Sequence, residues 1–262
     1  MDNMKSQQEF AVEMETGCEG HPLPVWASNQ PNPLQLDPSY PSDKVRLERV
    51  NNVTGAFHLR SVFSSEECQY LIDFTERLGY HQDAAISLSR DVRHNQNLVW
   101  IADDNSCELI WRRIAPALDQ RLLGFPDLRA FTLNGRFRFY RYDEGDFFKL
   151  HGDGNWTGSR LRDGKLINDA FDGGYSQMTV LVALNSDFEG GATRFRVNAD
   201  DPFEPVQRHN RVNDVDVYTP AGDILCFPHG MHPLHWMHSG EPIISGKKYI
   251  LRTDMLFAEQ EE

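Results

Sequence analysis

Tyr142-Asp-Glu-Gly-Asp-Phe-Phe-Lys-Leu-His151-Gly-Asp153 is the stretch on which the interpretation of this 262-residue chain depends. It ends with an imidazole and a carboxylate separated by one residue. Side chains at positions i and i+2 of a strand point to the same face, so His151 and Asp153 can hold one metal ion from two adjacent corners. The tripeptide alone is a weak signal, because a solvated surface loop can carry the same residues. Its meaning depends on whether a third ligand follows.

The far end of the chain offers that third ligand. His238 is followed by Pro242, Gly246 and Lys248, at four, eight and ten residues. Two imidazoles and one carboxylate, with the remaining metal positions open, form the ligand set of non-haem Fe(II) oxygenases. Two further motifs lie between the ligands, Thr179-Val-Leu-Val-Ala-Leu-Asn185 and Glu189-Gly-Gly-Ala-Thr193.

Together these motifs resemble those of the prolyl 4-hydroxylase-like Fe(II)/2-oxoglutarate dioxygenases. The resemblance covers residues 136–257, and the motifs occur in the family's order and spacing, which makes them jointly a strong signal. It implies that His151, Asp153 and His238 are both the iron ligands and the catalytic residues. It also implies that Lys248 pairs with the far carboxylate of 2-oxoglutarate, and that O2 is the co-reactant, with ascorbate as a stimulating reductant.

The far carboxylate of 2-oxoglutarate needs a buried cation, since an unpaired buried charge is very costly. Lys248 is the predicted partner. Arg252 has the same strand parity and remains the alternative, with a structural ion pair as its other role. The family's matching positions imply that Tyr142 and Thr179 supply hydroxyls to the same carboxylate.

The third ligand has competitors, because histidines recur every third residue over one stretch: His229, His232, His235 and His238. Only His238 has the downstream spacing described above. The other three are interpreted as solvated or locally bonded imidazoles, and a second metal site is the alternative interpretation.

Three residues depart from the family pattern. Ala192 replaces the usual Glu of Gly-Gly-Glu-Thr, Phe148 stands where many members have Tyr, and Ala183 stands where Tyr is common. All three touch the expected wall of the site, so they bear on the substrate more than on the reaction. The intact Asp153 favours hydroxylation, because related halogenases leave the carboxylate position empty for halide.

The predicted fold is mainly β with flanking helices. Short strands broken by Gly and Pro indicate a jelly-roll, and the family resemblance implies a double-stranded β-helix of cupin type. We predict helical support over residues 63–124, with a capping box at Ser64-Ser-Glu-Glu67 and a second helix from near Asn105 to Leu123, and a jelly-roll core over 130–258. Core strands are predicted at residues 136–142, 178–184, 192–197, 214–218, 223–227 and 247–257.

Residues 1–42 are polar and then Pro-rich, and they lack a sustained periodic pattern. They are predicted to form a flexible arm in front of a catalytic domain that spans 43–262. The alternative is that Val25, Trp26 and Leu34 anchor this arm across the core or over the mouth of the site.

The segment 155–176 is long, Gly-rich and charged, and it starts directly after two predicted iron ligands. Such loops are often lids. Trp156 is predicted to cover the substrate, and Arg160 and Arg162 to offer charge to an acidic group on it. A plain surface insertion is the alternative.

Composition narrows the class of partner. The formal net charge is -13, which disfavours a nucleic-acid partner, and no apolar run reaches the length of a membrane span. Four scattered cysteines without a Cys-x-x-Cys pair favour free thiols in a reducing compartment, so we expect a cytoplasmic protein.

Two classes of function follow. The first is a hydroxylase that couples decarboxylation of 2-oxoglutarate to oxygen insertion into a C–H bond. Its substrate is either a prolyl residue of a polypeptide or a free amino acid or other small metabolite. The second is a cupin-like protein that binds a metal or ligand without turnover, against which the complete set of predicted site residues argues.

Overall fold

Two β-sheets dominate the computed structural model, which describes residues 9–84, 90–119, 123–125 and 127–259. With strands numbered in chain order, the large sheet runs β1 (Glu9–Thr16), β2 (Pro22–Ser28), β6 (Gln96–Ile101), β8 (Arg136–Tyr142), β19 (Lys248–Glu259), β12 (Tyr175–Ala183), β16 (Ile224–Pro228), β4 (Phe57–Arg60) and β3 (Arg46–Arg49). β7 (Leu128–Leu133) pairs with β19 outside this path.

The small sheet runs β15 (Val212–Val217), β14 (Thr193–Asn198), β17 (Met237–Gly240), β9 (Phe147–His151) and β5 (Arg93–His94). Two further pairs are β10 (Arg160–Arg162) with β11 (Lys165–Ile167), and β13 (Glu189–Gly190) with β18 (Ile243–Ser245). The helices are α1 (Ser65–Leu78) and α2 (Asp104–Ile114), with 3-10 turns at Ser42–Lys44 and Ala115–Ala117.

The two sheets face each other. Alternating side chains of β8 show which layer packs against each face of the large sheet. Phe137 and Phe139 are fully buried in the main core, together with the inner faces of both helices. Tyr140 and Tyr142 lie on the opposite face of β8 and pack with Phe148 of the small sheet. The large sheet therefore has helices on one face and the small sheet on the other. This confirms the predicted jelly-roll with flanking helices.

Both predicted helices are present, and their ends follow from their sequences. Ser64 accepts a hydrogen bond from the backbone N–H of Glu67 and donates its own backbone N–H to the Glu67 carboxylate, which completes the predicted capping box at α1. The second helix ends at Ile114, well short of Leu123. Pro116 explains the early end, because proline lacks a backbone N–H and its ring clashes with the preceding turn.

The N-terminal segment is where the structure departs most from the sequence-based prediction. Residues 9–42 do not form a separate arm, because β1 and β2 extend the large sheet and β2 pairs in parallel with β6. Val25 and Leu34 are buried, as the alternative interpretation required. The segment is also held by Arg113, which donates 2.8 Å to the carbonyl of Asp37 and pairs at 2.6 Å with the buried Glu67. The segment is polar overall, but the few apolar residues within it, such as Val25 and Leu34, are buried and hold it against the rest of the fold.

No helix among the described residues is long and apolar enough to cross a lipid bilayer. Cys68, Cys107 and Cys226 are buried, and no disulfide joins cysteines within the described ranges.

Candidate metal centre

Three side chains converge between the two sheets. His151 ends β9, Asp153 follows two residues later, and His238 lies in β17 directly opposite His151 in the sheet register. The Asp153 carboxylate lies 3.7 Å from Nε2 of His151 and 3.6 Å from Nε2 of His238. One ligand atom from each residue falls within 4.8 Å of the others, and in the described part of the chain no other group of His, Cys, Asp or Glu meets this condition.

The two imidazoles are oriented as metal ligands should be. Nδ1 of His151 lies 2.8 Å from the carbonyl of Lys149, and Nδ1 of His238 lies 3.3 Å from the carbonyl of Trp236. Each Nδ1 therefore carries the proton and donates it, which leaves the Nε2 lone pair directed to the centre. Two neutral imidazoles and one carboxylate, with the other positions free, fit Fe(II).

The protonation states agree with this orientation. Burial, reinforced by the neighbouring His238, lowers the pKa of His151 to about 3, and burial also lowers the pKa of His238. Burial alone would raise the pKa of Asp153, but the Arg252 guanidinium, followed by the two imidazoles, holds it well below its ordinary value. At neutral pH the site is thus two neutral imidazoles and one carboxylate, the forms that bind a divalent cation.

Arg252 forms ion pairs with two carboxylates, one of which is the candidate ligand Asp153. Its Nη1 lies 3.3 Å from Asp153 and its Nη2 lies 3.4 Å from the fully buried Asp254. The guanidinium is therefore engaged by two carboxylates, as its predicted structural role requires. Its alternative role, the anchor of the far carboxylate of 2-oxoglutarate, fits this placement less well.

Lys248 is placed differently. Its Nζ donates a 2.6 Å hydrogen bond to the carbonyl of Gly191 and lies 6.0 Å from the Tyr142 ring. It has no carboxylate partner among the described residues. Burial lowers its pKa to about 8. Lys248 is thus a part-buried cation beside the candidate ligands that remains available for an anion.

The cavity lined by the three candidate metal ligands is also lined by three of the four predicted cosubstrate residues. Tyr142, Lys248 and Arg252 line it together with the three ligands, and its volume is about 40 Å³. Lys248 also lines a second cavity of about 350 Å³, whose wall includes Ala183. The small side chain at position 183 leaves that space open.

Thr179 lies elsewhere than its predicted role requires. Its hydroxyl donates 2.7 Å to Asp153, and it is not part of the cavity wall beside Lys248. Thr193 of the Gly-Gly-Ala-Thr motif does line that cavity. The signal for Thr193 lies in the sequence, because this residue belongs to the Glu189-Gly-Gly-Ala-Thr193 motif.

A buried hydrogen-bond chain, which sequence reasoning missed, supports Asp153. Since the Thr179 hydroxyl donates to Asp153, it must accept from Nδ1–H of His229, 2.7 Å away. Nε2 of His229 then accepts from the Ser176 hydroxyl at 2.9 Å, and Ser176 accepts from the backbone N–H of Trp156 at 2.8 Å. Burial lowers the pKa of His229, so the neutral form that this chain requires is favoured.

The other two histidines of the run are bonded locally. Nε2 of His232 lies 3.0 Å from the carbonyl of Leu123, and Nδ1 of His235 lies 3.0 Å from the carbonyl of His232. These contacts agree with their interpretation as locally bonded imidazoles.

Replacing Thr179 by valine is expected to weaken Fe(II) binding by about 10- to 100-fold, because the hydroxyl orients a ligand carboxylate. Valine keeps the shape but leaves a carboxylate oxygen and an imidazole N–H without their partner. Anaerobic competition against a chromogenic chelator measures the affinity. Thr179→Ser retains the hydroxyl and is expected to bind like the wild type. Equal affinity in all three proteins would show that the chain does not act on the metal.

The segment 155–176 is anchored through the two arginines that were predicted to meet the substrate. Nε of the buried Arg160 lies 3.2 Å from Asp104, and its guanidinium donates to the carbonyl of Leu133 at 2.8 Å. Arg162 also pairs with Asp104, at the start of α2. Their assignment to an acidic group of the substrate is therefore corrected. Trp156 remains the candidate in this segment to cover the substrate, because its side chain is partly exposed and borders a large cavity.

Comparisons with known proteins agree with the motifs. No family model matches the chain. A curated protein of Acanthamoeba polyphaga mimivirus, named "Putative prolyl 4-hydroxylase", is 23% identical over 198 residues, which cover 74% of this chain and 71% of that protein. The chain thus resembles the prolyl 4-hydroxylase-like dioxygenases.

Solved structures align with most of the chain at TM-scores below 0.5. One is the viral collagen prolyl hydroxylase of Paramecium bursaria Chlorella virus 1 in complex with 2-oxoglutarate, with a TM-score of 0.47 and 16% identity, covering 78% of this chain and 96% of that chain. Another is a prolyl hydroxylase of Trichoplax adhaerens with a peptide of the hypoxia inducible factor oxygen degradation domain. Its TM-score is 0.49 and its identity 15%, with 78% of this chain and 84% of that chain covered.

Proposed function

We propose that this protein is an Fe(II)/2-oxoglutarate-dependent dioxygenase that hydroxylates a C–H bond, in the manner of a prolyl 4-hydroxylase. The observation that carries the proposal is that two neutral imidazoles, one carboxylate and one part-buried lysine without a carboxylate partner among the described residues line a single cavity. The reaction consumes 2-oxoglutarate, O2 and a C–H substrate, and it yields succinate, CO2 and the hydroxylated product.

Each residue around the cavity has a distinct role. His151, Asp153 and His238 would hold Fe(II), which supplies the redox chemistry with O2 when it is bound. Lys248 binds the far carboxylate of 2-oxoglutarate through a charge-assisted pair, and the Tyr142 hydroxyl donates a hydrogen bond to the same group. Burial raises the pKa of Tyr142, so this hydroxyl keeps its proton at neutral pH.

An aromatic ring packs directly on one of the proposed metal ligands. The Phe148 ring stacks on the His151 ring with centroids 3.5 Å apart, and His151 in turn faces His238 at 4.3 Å. Phe148 therefore fixes the plane of one ligand and shields it from water. Position 148 is one of the three that depart from the family pattern. Phe148, where many members have Tyr, adds no hydroxyl beside the proposed metal ligands.

Turnover of carboxyl-labelled 2-oxoglutarate tests the proposal. With Fe(II) and O2, the wild-type protein is expected to release CO2 and form succinate in equal amounts, slowly without substrate and faster with it. Asp153→Ala is expected to release none. Binding of Fe(II) and 2-oxoglutarate without any CO2 release would favour the non-catalytic binding protein instead.

The affinity for 2-oxoglutarate is expected to fall as the pH rises through about 8, the pKa of Lys248. Below that pH the ammonium is charged and pairs with the carboxylate, whereas above it the neutral amine does not. The dissociation constant is then expected to rise towards tenfold per pH unit, which an anaerobic titration with Ni(II) in place of Fe(II) can follow. Lys248→Met should bind weakly with no such pH dependence. A flat profile in the wild type between pH 7 and 9 would contradict the assignment.

A further inference from the structure

A cavity of about 470 Å³ adjoins the proposed metal centre. Tyr140 lines both this cavity and the smaller one that holds the metal ligands. Arg136 and Arg138, on the same face of β8 as Tyr140, contribute to its wall, and Trp156 borders it from the segment that follows Asp153. Its volume lies in the range that proteins use for small molecules.

Positively charged side chains outnumber negatively charged ones in the wall of this cavity. Its lining residues include three arginines but one carboxylate, Glu15, and that carboxylate pairs with Arg136. Arg93 and Arg138 are therefore left for other partners. Both are more than nine-tenths buried, so solvent screens their charges only weakly.

Arg93 lies against two aromatic rings. Its guanidinium is 5.7 Å from the Tyr140 ring centroid and 5.6 Å from that of Phe148. Phe148 also stacks on His151, so one aromatic ring contacts both Arg93 and a candidate metal ligand. None of the ion pairs found among the described residues involves Arg93.

Arg138 is only partly neutralised. Its nearest carboxylate, Asp254, lies 3.7 Å away, beyond hydrogen-bond distance, and Asp254 also serves Arg252. Nη1 of Arg138 has no hydrogen-bond partner among the described residues. Its guanidinium lies 5.3 Å from the Trp156 ring, which borders the cavity. The unpartnered Nη1 is the atom nearest Asp254. Because Arg138 also lines the cavity, an anion bound there would complete the neutralisation of its charge.

We propose that this cavity binds the substrate and that the substrate is a small molecule with a carboxylate, which Arg93 and Arg138 hold while the carbon to be hydroxylated lies beside Tyr140. This inference rests on the proposed function. Arginine suits the task because its planar fork matches a carboxylate in two parallel hydrogen bonds. It favours a free acid of low molecular weight over an internal prolyl residue, whose peptide groups carry no charge.

Paired ligands that differ only in charge test the inference. The probes are the proteinogenic L-amino acids, proline derivatives and simple carboxylic acids, each beside its primary amide, together with proline-containing peptides amidated at the C-terminus. Calorimetric titrations use the full chain under argon, alone and with Fe(II) and 2-oxoglutarate. At least one small acid is expected to bind about tenfold or more tightly than its amide.

Variants then assign the effect to the two arginines. Arg93→Gln and Arg138→Gln are each expected to weaken binding of the acid by about tenfold or more and to leave the amide unchanged. Arg162→Gln is the matched control, because this arginine pairs with Asp104 outside the cavity. Arg138→Lys keeps a charge beside Asp254 but loses the planar fork, so it repeats the test if the glutamine variant does not fold.

The inference is overturned if no acid binds more tightly than its amide, if acid binding survives both glutamine substitutions, or if an amidated peptide binds better than every small acid. Failure of the proposed function has a different signature. In that case Arg-dependent binding of an acid persists, but Fe(II) and 2-oxoglutarate do not bind and no CO2 is released.

Discussion

Replacing His238 by alanine is expected to abolish Fe(II)-dependent consumption of 2-oxoglutarate. The substitution removes one of three ligands, and the remaining imidazole and carboxylate lie on a single short segment that cannot enclose the ion. The same result is expected for His151→Ala and Asp153→Ala. Turnover of 2-oxoglutarate and the iron content after anaerobic loading are the two measurements.

His235→Ala is the matched control for this prediction. It removes an imidazole three residues away in the same histidine run, but its Nδ1 is bonded to a backbone carbonyl and its ring is not part of the ligand group. Activity and iron content are expected to stay at the wild-type level. An inactive His235→Ala together with an active His238→Ala would move the third ligand to position 235.

Replacing Lys248 by alanine is expected to raise the KM for 2-oxoglutarate by well over tenfold, because a charge-assisted pair contributes about 1.5–3 kcal/mol. Iron binding is expected to stay intact, since Lys248 touches no metal ligand. Steady-state kinetics and the chelator competition separate the two effects.

Arg252→Ala is expected to show the opposite pattern. It leaves Asp153 and Asp254 without their shared guanidinium, and breaking a buried ion pair from one side is strongly destabilising. Metal affinity and thermal stability should fall more than the KM changes. A large KM effect in Arg252→Ala with none in Lys248→Ala would transfer the cosubstrate anchor to Arg252.

The sequence predicted the core of the fold because the relevant signals are local. The alternation of β8, with Phe137 and Phe139 on one face and Tyr140 and Tyr142 on the other, can be read from seven consecutive residues. The capping box at Ser64 and the spacing from His238 to Lys248 are equally local. Such patterns depend on the periodicity of a strand or helix and not on distant partners.

The features that escaped prediction depend on contacts between residues far apart in the chain. β2 pairs with β6 across some seventy residues of intervening sequence, and its proline-rich surroundings conceal its apolar face. The partner of Thr179 could not be inferred, because Asp153 and a ring of the histidine run meet it only in the folded protein. Arg160 was misassigned for the same reason, since Asp104 comes from a distant helix.

Arg160 and Arg162 pair with Asp104 and are no longer candidates to bind the substrate. The substrate is still expected to carry an acidic group. The charge that was predicted for Arg160 and Arg162 is assigned by our proposal to Arg93 and Arg138, which line one cavity together with Trp156. Trp156 also donates its backbone N–H to Ser176, the far end of the hydrogen-bond chain that reaches Asp153. The substrate cavity and the metal centre therefore share a structural connection.

Anaerobic addition of Fe(II) and then 2-oxoglutarate to the purified protein tests the central claim most directly. Chelation of the iron by the cosubstrate is expected to produce a weak visible charge-transfer band in the wild type and in His235→Ala, and to produce none in Asp153→Ala or His238→Ala. A band that persists in both ligand variants, or a wild type that never develops one while remaining folded, would contradict the assignment of His151, Asp153 and His238 as an Fe(II)/2-oxoglutarate site.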